Sequence, residues 1–293
     1  MKTTFLLSTL FLLLTASFTR KERISTPIEK PPQNLNISFL LDLSDRIDPK
    51  KNPNPTMQYY QRDVLYMKSI VQAFLNHVKQ KKIFKLNDQL QVFFDPAPKS
   101  PQINQLSQQL KVSFDKNSSK KSIITTEQIF ATVPIKIYQS AIRDRHYVGS
   151  DIWGFFKNSV TDYCIKDQHR NILIIITDGY MYHRNNQFKK NGKSTYITPA
   201  LIREQKLNTP DFQSVIKRKN LGFIAPINNV GNLEVVVLGI NPSPNNPFEG
   251  DVIKQYWGDW FKSMGIKNYY LKTAELPSDL DPVLQKIILA DKP

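Results

Sequence analysis

Short apolar runs alternate along the chain with longer segments in which apolar residues recur every three or four positions. Residues 37–41 (ISFLL), 172–176 (ILIII) and 233–240 (LEVVVLGI) are runs of the first kind, bounded by turn-forming residues. Such runs predict strands buried on both faces of a parallel sheet. Met57, Tyr60, Val64, Met67, Val71, Phe74 and Val78 fall at spacings of three and four, which predicts one long helix with a single apolar stripe. Residues 90–94 (LQVFF) and 110–114 (LKVSF) alternate and predict a short edge hairpin across a polar, proline-bearing stretch. Residues 125–142 read as helical, with Thr125 and Gln128 at capping-box spacing and Pro134 expected to kink or split the segment.

A further helix is expected from Ser150. Val252, Ile253, Tyr256, Trp257, Trp260 and Phe261 predict a later one with Gly265 as its C-cap. A strand at 269–271 and a helix from Ser278 complete the pattern. Strands alternating with helices of this length predict an α/β fold: a doubly wound, mostly parallel sheet with helices on both faces and one antiparallel edge strand. In such sheets ligands bind at the carboxyl ends of the strands, where the strand order reverses.

The ends of the chain refine the domain organisation. Lys2, the apolar run 5–14 and the small residues Thr15, Ala16 and Ser17 follow the order of a secretory signal, which predicts a signal peptide over 1–18. The apolar run is too short for a stable bilayer span. Residues 19–35 include a proline-rich polar tether, and residues 36–290 form the folded domain. The expected location is extracytoplasmic, periplasmic or secreted, with membrane contact only through the leader if it is uncleaved. One cysteine, Cys164, excludes an internal disulfide, so the core must hold the fold.

Two strand ends carry candidate chemistry. The first strand runs into Asp42-Leu43-Ser44-Asp45-Arg46 and the ILIII strand into Thr177-Asp178-Gly179. Carboxylates and hydroxyls gathered at one sheet edge suit a hard cation such as Mg²⁺ or Mn²⁺. On these residues the sequence resembles the von Willebrand factor type A (integrin I-like) family. Its metal ion-dependent adhesion site combines an Asp-x-Ser-x-Ser turn after the first strand, a Thr before a later helix and an Asp ending the central strand. The resemblance covers residues 36 to about 290 and implies the metal ligands Asp42, Ser44, Ser150 and Asp178, with Ser150 standing where the family has its Thr.

Arg46 stands where the family has a third hydroxyl, and a guanidinium cannot ligate a metal. It is expected either to pair with Asp42 or Asp178 in place of the ion, or to point outward while Asp45 or water completes the shell. Asp151 and Thr177 are further residues that could modify the site.

The chain carries 40 Lys and Arg against 25 Asp and Glu, a formal charge of +15. That balance favours anionic partners, and no specific nucleic-acid motif accompanies it. Residues 180–222 concentrate the charge and read as a long basic insertion springing from the site edge. Arg184, Lys189, Lys190 and Lys193, with Tyr180, Tyr182 and Tyr196, are expected to face the ligand. His77 reads as a surface or packed residue of the first long helix, His146 and His183 lack a carboxylate at diagnostic spacing, Cys164 has no nucleophile signature, and Trp153, Trp257 and Trp260 read as core.

The expected function is therefore non-enzymatic: presentation of a divalent cation to an acidic group of another protein or of an anionic ligand. A metal-dependent hydrolase at the same site and a metal-free envelope scaffold, with Arg46 neutralising the carboxylates, are the alternatives.

Overall fold

The computed structural model describes residues 33–290 apart from His146 and Val148. The predicted signal peptide, the 19–35 tether up to Pro32 and His146 lie outside the described residues. The elements are, in order, β1 (Asn34–Leu41), α1 (Tyr59–Gln80), β2 (Asp88–Phe93), α2 (Pro101–Gln108), β3 (Lys111–Phe114), α3 (Lys120–Asp144), β4 (Gly149–Ser150), α4 (Ile152–Asn158) and α5 (Val160–Cys164). They continue with β5 (His169–Ile176), β6 (Tyr182–His183), β7 (Lys189–Lys190), β8 (Lys193–Ser194), α6 (Pro199–Glu204), α7 (Phe212–Lys219), β9 (Gly222–Phe223), β10 (Leu233–Ile240), α8 (Glu249–Ser263), β11 (Tyr269–Thr273) and α9 (Pro277–Leu289).

Six strands form the central sheet in the order β11-β10-β5-β1-β2-β3. All neighbours run parallel except β3, which is antiparallel to β2 at one edge. This is a mixed α/β, Rossmann-like sheet. Its order reverses between β1 and β5, and Leu41, Ile176 and Leu238 lie side by side in register. The chain therefore leaves these strands at one shared edge.

The apolar runs are explained by two cores, one on each face. Leu35, Ile37, Phe39 and Leu41 of β1, with Ile172, Ile174 and Ile176 of β5, pack against α1, α3 and α9. The intervening Leu40, Leu173 and Ile175, with Val235 and Val237 of β10, pack against α4 to α8. Period-two side chains with both faces covered leave no polar face, which is why the runs are continuous.

Several local expectations need correction. The 90–114 pair is antiparallel as expected, but α2 fills its connection, started by Pro101 at its first turn. α3 starts at Lys120, capped by Ser119 and Ser122 rather than by Thr125 and Gln128, and it continues through Pro134. Buried Phe130, Val133, Ile137 and Tyr138 hold both sides of the proline on α1, so packing outweighs the lost backbone hydrogen bond.

The 180–222 stretch is not a flexible loop. β6 pairs with β4, β7, β8 and β9 form a small sheet, and α6 and α7 follow. Met181, Ile197, Ile202, Leu207, Phe212 and Ile216 bury its inner side in the second core. Among the described residues no helix is long and apolar enough to cross a membrane.

Candidate metal centre

Backbone bonds between strand ends set the site. Asp42 N–H donates to the Ile176 carbonyl (3.1 Å), Thr177 N–H to Leu238 (3.0 Å), and Asn241 N–H to Asp178 (2.9 Å). Just past β1 the chain folds back, so that Ser44 N–H donates to Asp42 Oδ1 at 2.8 Å. The Thr177 hydroxyl donates to Asp42 Oδ2 at 2.9 Å, while the Tyr180 N–H donates to Asp178 Oδ1 at 3.0 Å. Gly179 has φ +93°, and a Cβ there would stand 2.8 Å from the Ile253 side chain, so only glycine makes this turn without displacement. Trp257 fixes the turn further, its indole N–H donating to the Gly179 carbonyl at 2.8 Å.

Asp42, Ser44, Ser150 and Asp178 all line one cleft of about 880 Å³ at this edge. Three separated segments thus bring the predicted oxygen donors to a common space. Ser150 is 5% exposed, and its hydroxyl has no hydrogen-bond partner. A buried polar atom without a partner costs about 1–3 kcal/mol, a cost that a bound cation or a ligand atom removes.

Arg46 turns inward and meets Asp42, one of the two carboxylates expected, but its closest partner is one that was not expected. It is buried at 6% exposure, and its Nη2 donates to Asp63 of α1 at 2.6 Å and to the Ile176 carbonyl at 3.2 Å. Its Nε lies 3.6 Å from Asp42 Oδ2. The principal partner is therefore Asp63, a buried carboxylate among the core residues of α1. Burial works against the guanidinium charge, but Asp63 and then Asp42 outweigh it and hold Arg46 charged. Burial also raises Asp63, with Arg46 opposing, and the buried Tyr138 phenol beside them is held well above its usual value by burial and by Asp63.

Three carboxylates, Asp42, Asp63 and Asp178, face one guanidinium, which leaves the pocket short of positive charge. Asp178 registers the deficit: burial first, and then the Asp42 charge, push its carboxyl up to about 7. A proton or a cation would relieve the same imbalance. The donor set fits a hard divalent ion: two carboxylates and two serine hydroxyls, all oxygen. Asp42 uses two of about four lone-pair positions on Ser44 and Thr177 and keeps the others. No cluster of three or more His, Cys, Asp or Glu in metal-holding arrangement occurs among the described residues, so any ion here depends on the hydroxyls.

The flanking residues sort differently from expectation. Thr177 is fully buried and orients Asp42. Asp45 is exposed and pairs with Lys51 at 3.0 Å on the rim. Asp151 caps α4 through the Gly154 N–H (2.8 Å) and accepts both Asn186 contacts, at 2.8 and 2.6 Å. It also gives His183 the carboxylate neighbour that sequence spacing did not reveal, 3.3 Å from Nδ1. With three hydrogen bonds from two donor groups already on it, Asp151 anchors the insertion to the sheet edge, and burial together with its charge pushes nearby Asp95 up to about 6.

Of the predicted basic face, Arg184, with Tyr180 and Tyr182, lines the cleft. Lys189 and Lys190 line a separate hollow against α6 and α7, and Lys193 another against α7 and α8. The β7–β8 hairpin folds back on the α7 side, which carries these lysines away; Lys189 pairs with Glu204 at 3.2 Å and covers the Tyr196 ring. Lys51, Lys99 and Arg145 join Arg184 on the cleft rim instead. His77 packs against Asp88 (3.3 Å), buried Cys164 has its thiol pushed up to about 12, and the three tryptophans are core. Asp63 was legible in principle: it lies four residues before Met67 and seven before Ile70, on the buried stripe.

No family model and no curated protein sequence matches the chain. Among solved structures it is similar to proximal thread matrix protein 1 of the mussel byssus, at 12% identity and a TM-score of 0.33, over 88% of this chain and 45% of that one. It is also similar to the pilus adhesin SpaC of Lactobacillus rhamnosus GG, at 11% identity and a TM-score of 0.39, over 88% and 30%. The chain spans less than half the length of either, and both likenesses are too distant to carry fold or function across.

Proposed function

We propose that this is a von Willebrand factor type A-like binding domain, with a doubly wound sheet, that presents Mg²⁺ or Mn²⁺ to an acidic group of a partner protein or of another anionic ligand. Asp42, Ser44, Ser150 and Asp178 would hold the ion; it would supply a positive centre with an open position. The protein would work outside the cytoplasm and bind rather than catalyse.

The observation that carries the reading is the convergence of these donors on one cleft at the switch point of the sheet, with the Ser150 hydroxyl buried and unpartnered. The strand order with its antiparallel edge strand supports the same reading. Arg46 does not fill the place of the ion on this view, because Asp63 takes most of its charge. The rim of Lys51, Lys99, Arg145 and Arg184 would draw an anionic group toward the cleft.

Thermal unfolding with Mg²⁺, Mn²⁺ or excess chelator tests this. A cation at a hundred times its Kd stabilises by about 2.7 kcal/mol, or roughly 5–10 °C for a domain of this size. Wild type should gain that shift, whereas Asp178→Ala and Ser150→Ala should lose most of it. The absence of a shift with either ion would remove the reading and favour the metal-free scaffold, held by the Arg46–Asp63 pair.

A further inference from the structure

The sheet edge opposite the cleft has its own surface chemistry. The turn after α1 is pinned at both ends. Lys81 turns inward, its side chain 2% exposed, to reach Asp88 Oδ2 (2.7 Å) and Asn34 Oδ1 (2.6 Å), and Leu86 packs partly buried on the core. Between them Ile83 and Phe84 project outward, 54% and 67% exposed, although each would be stabilised by burial. The Ile83–Lys85 helical turn holds this tip through the Lys85 N–H to Lys82 carbonyl bond of 2.8 Å.

Two other elements bring like residues to the same edge. β3 runs antiparallel, so Phe114 ends beside Asp88, and α3 starts there with Lys120, Lys121 and the 56% exposed Ile124. Arg170 at the start of β5 holds the Ile287, Ile288 and Ala290 carbonyls, which places the end of α9 at this edge with Lys286 and the 40% exposed Leu289. Lys79, Lys82, Lys85, Lys120, Lys121 and Lys286 are all exposed. The acids nearby are fewer: Asp88 is buried on Lys81, Glu234 is held by Arg170, and Asp115, Glu127 and Asp167 are exposed against six lysines.

Scattered exposed apolar residues are ordinary, but Ile83, Phe84, Ile124 and Leu289 on one edge among lysines combine the two attractions of an interfacial membrane contact. We propose that this edge docks on an anionic lipid surface, with Ile83 and Phe84 inserted at the headgroup boundary and the lysines on the lipid phosphates. The chain that carries the apolar run 5–14 enters the described residues at Gln33, beside Asn34 and Lys81, at this same edge. Stable membrane attachment takes two weak signals, and a basic apolar edge is a second beside any upstream one. Docked this way, the domain turns its cleft away from the membrane.

The test uses the full chain with Phe84→Trp, mixed with vesicles of phosphatidylglycerol or of phosphatidylcholine alone. Trp153, Trp257 and Trp260 are at most 8% exposed, so the parent chain supplies the background. Emission from the introduced indole should shift to the blue and be quenched by brominated acyl chains in phosphatidylglycerol vesicles only. Adding Lys82→Gln, Lys85→Gln and Lys120→Gln should weaken partition roughly a hundredfold. Two results would overturn the proposal: an unquenched indole in chains that sediment with vesicles, or a blue shift that grows with protein concentration without lipid, which would assign the edge to a second copy.

Discussion

Arg46 and Asp63 form the buried ion pair on which the candidate site rests, so their removal is the most informative perturbation. Arg46→Met would leave Asp63 and Asp42 buried without their shared cation, next to an Asp178 already short of neutralising charge. Breaking such a pair costs about 3–5 kcal/mol, which corresponds to a fall of about 6–20 °C in Tm for a domain of this size. Asp63→Leu should fall toward the low end, because Arg46 keeps Asp42 at 3.6 Å and the Ile176 carbonyl. The double variant Arg46→Met/Asp63→Leu should recover most of the loss, since Asp42 retains the Ser44 N–H and Thr177 hydroxyl and no carboxylate is left stranded on α1. Urea denaturation of all four proteins in chelator closes the cycle and yields the coupling energy directly. A double variant as unstable as the worse single, or singles that cost under about 1 kcal/mol, would refute the assignment of Asp63 as the principal partner.

Asp178 gives a pH prediction. Its folded carboxyl titrates near 7 and an unfolded one near 4, so the folded state holds the proton more tightly and stability falls as pH rises from about 4 to about 7. In chelator, Asp178→Asn should lack that decline and exceed wild type in Tm above pH 7; equal slopes would count against the charge deficit. Trp257→Phe should cost about 1–3 kcal/mol in urea denaturation by orphaning the buried Gly179 carbonyl. Asp151→Ala should free Asn186 and the β4–β6 ribbon, so that limited trypsin digestion cuts after Arg184 well before it cuts wild type; unchanged digestion would show that the insertion is held elsewhere.

Much of the scaffold was written in the local pattern. Residues 172–176 and 233–240 read as strands covered on both faces, because short, turn-bounded and largely apolar runs have no polar side to give to water. The stripe from Tyr60 to Val78 likewise fixed a helix and its inner face. The positions following the 37–41 and 172–176 strands drew attention to Asp42, Ser44 and Asp178, since parallel sheets expose loop chemistry at the carboxyl edge.

Tertiary structure decided what local pattern could not. Strands of two residues carry no readable period, so the 180–222 insertion looked like a loop, although Met181, Ile197 and Ile216 tie it to the core. Its lysines were expected at the cleft because they follow Asp178 in sequence, but a hairpin reversal turned them toward α7. Asp63 could be placed on the buried stripe of α1, but its pairing with Arg46 could not: the two are 17 residues apart and meet only because α1 packs across β1. Sequence determined which residues could carry charge and hydroxyl oxygen at that edge. Only the fold decided how the charge is shared among them, because electrostatic balance depends on distances and burial that no spacing encodes.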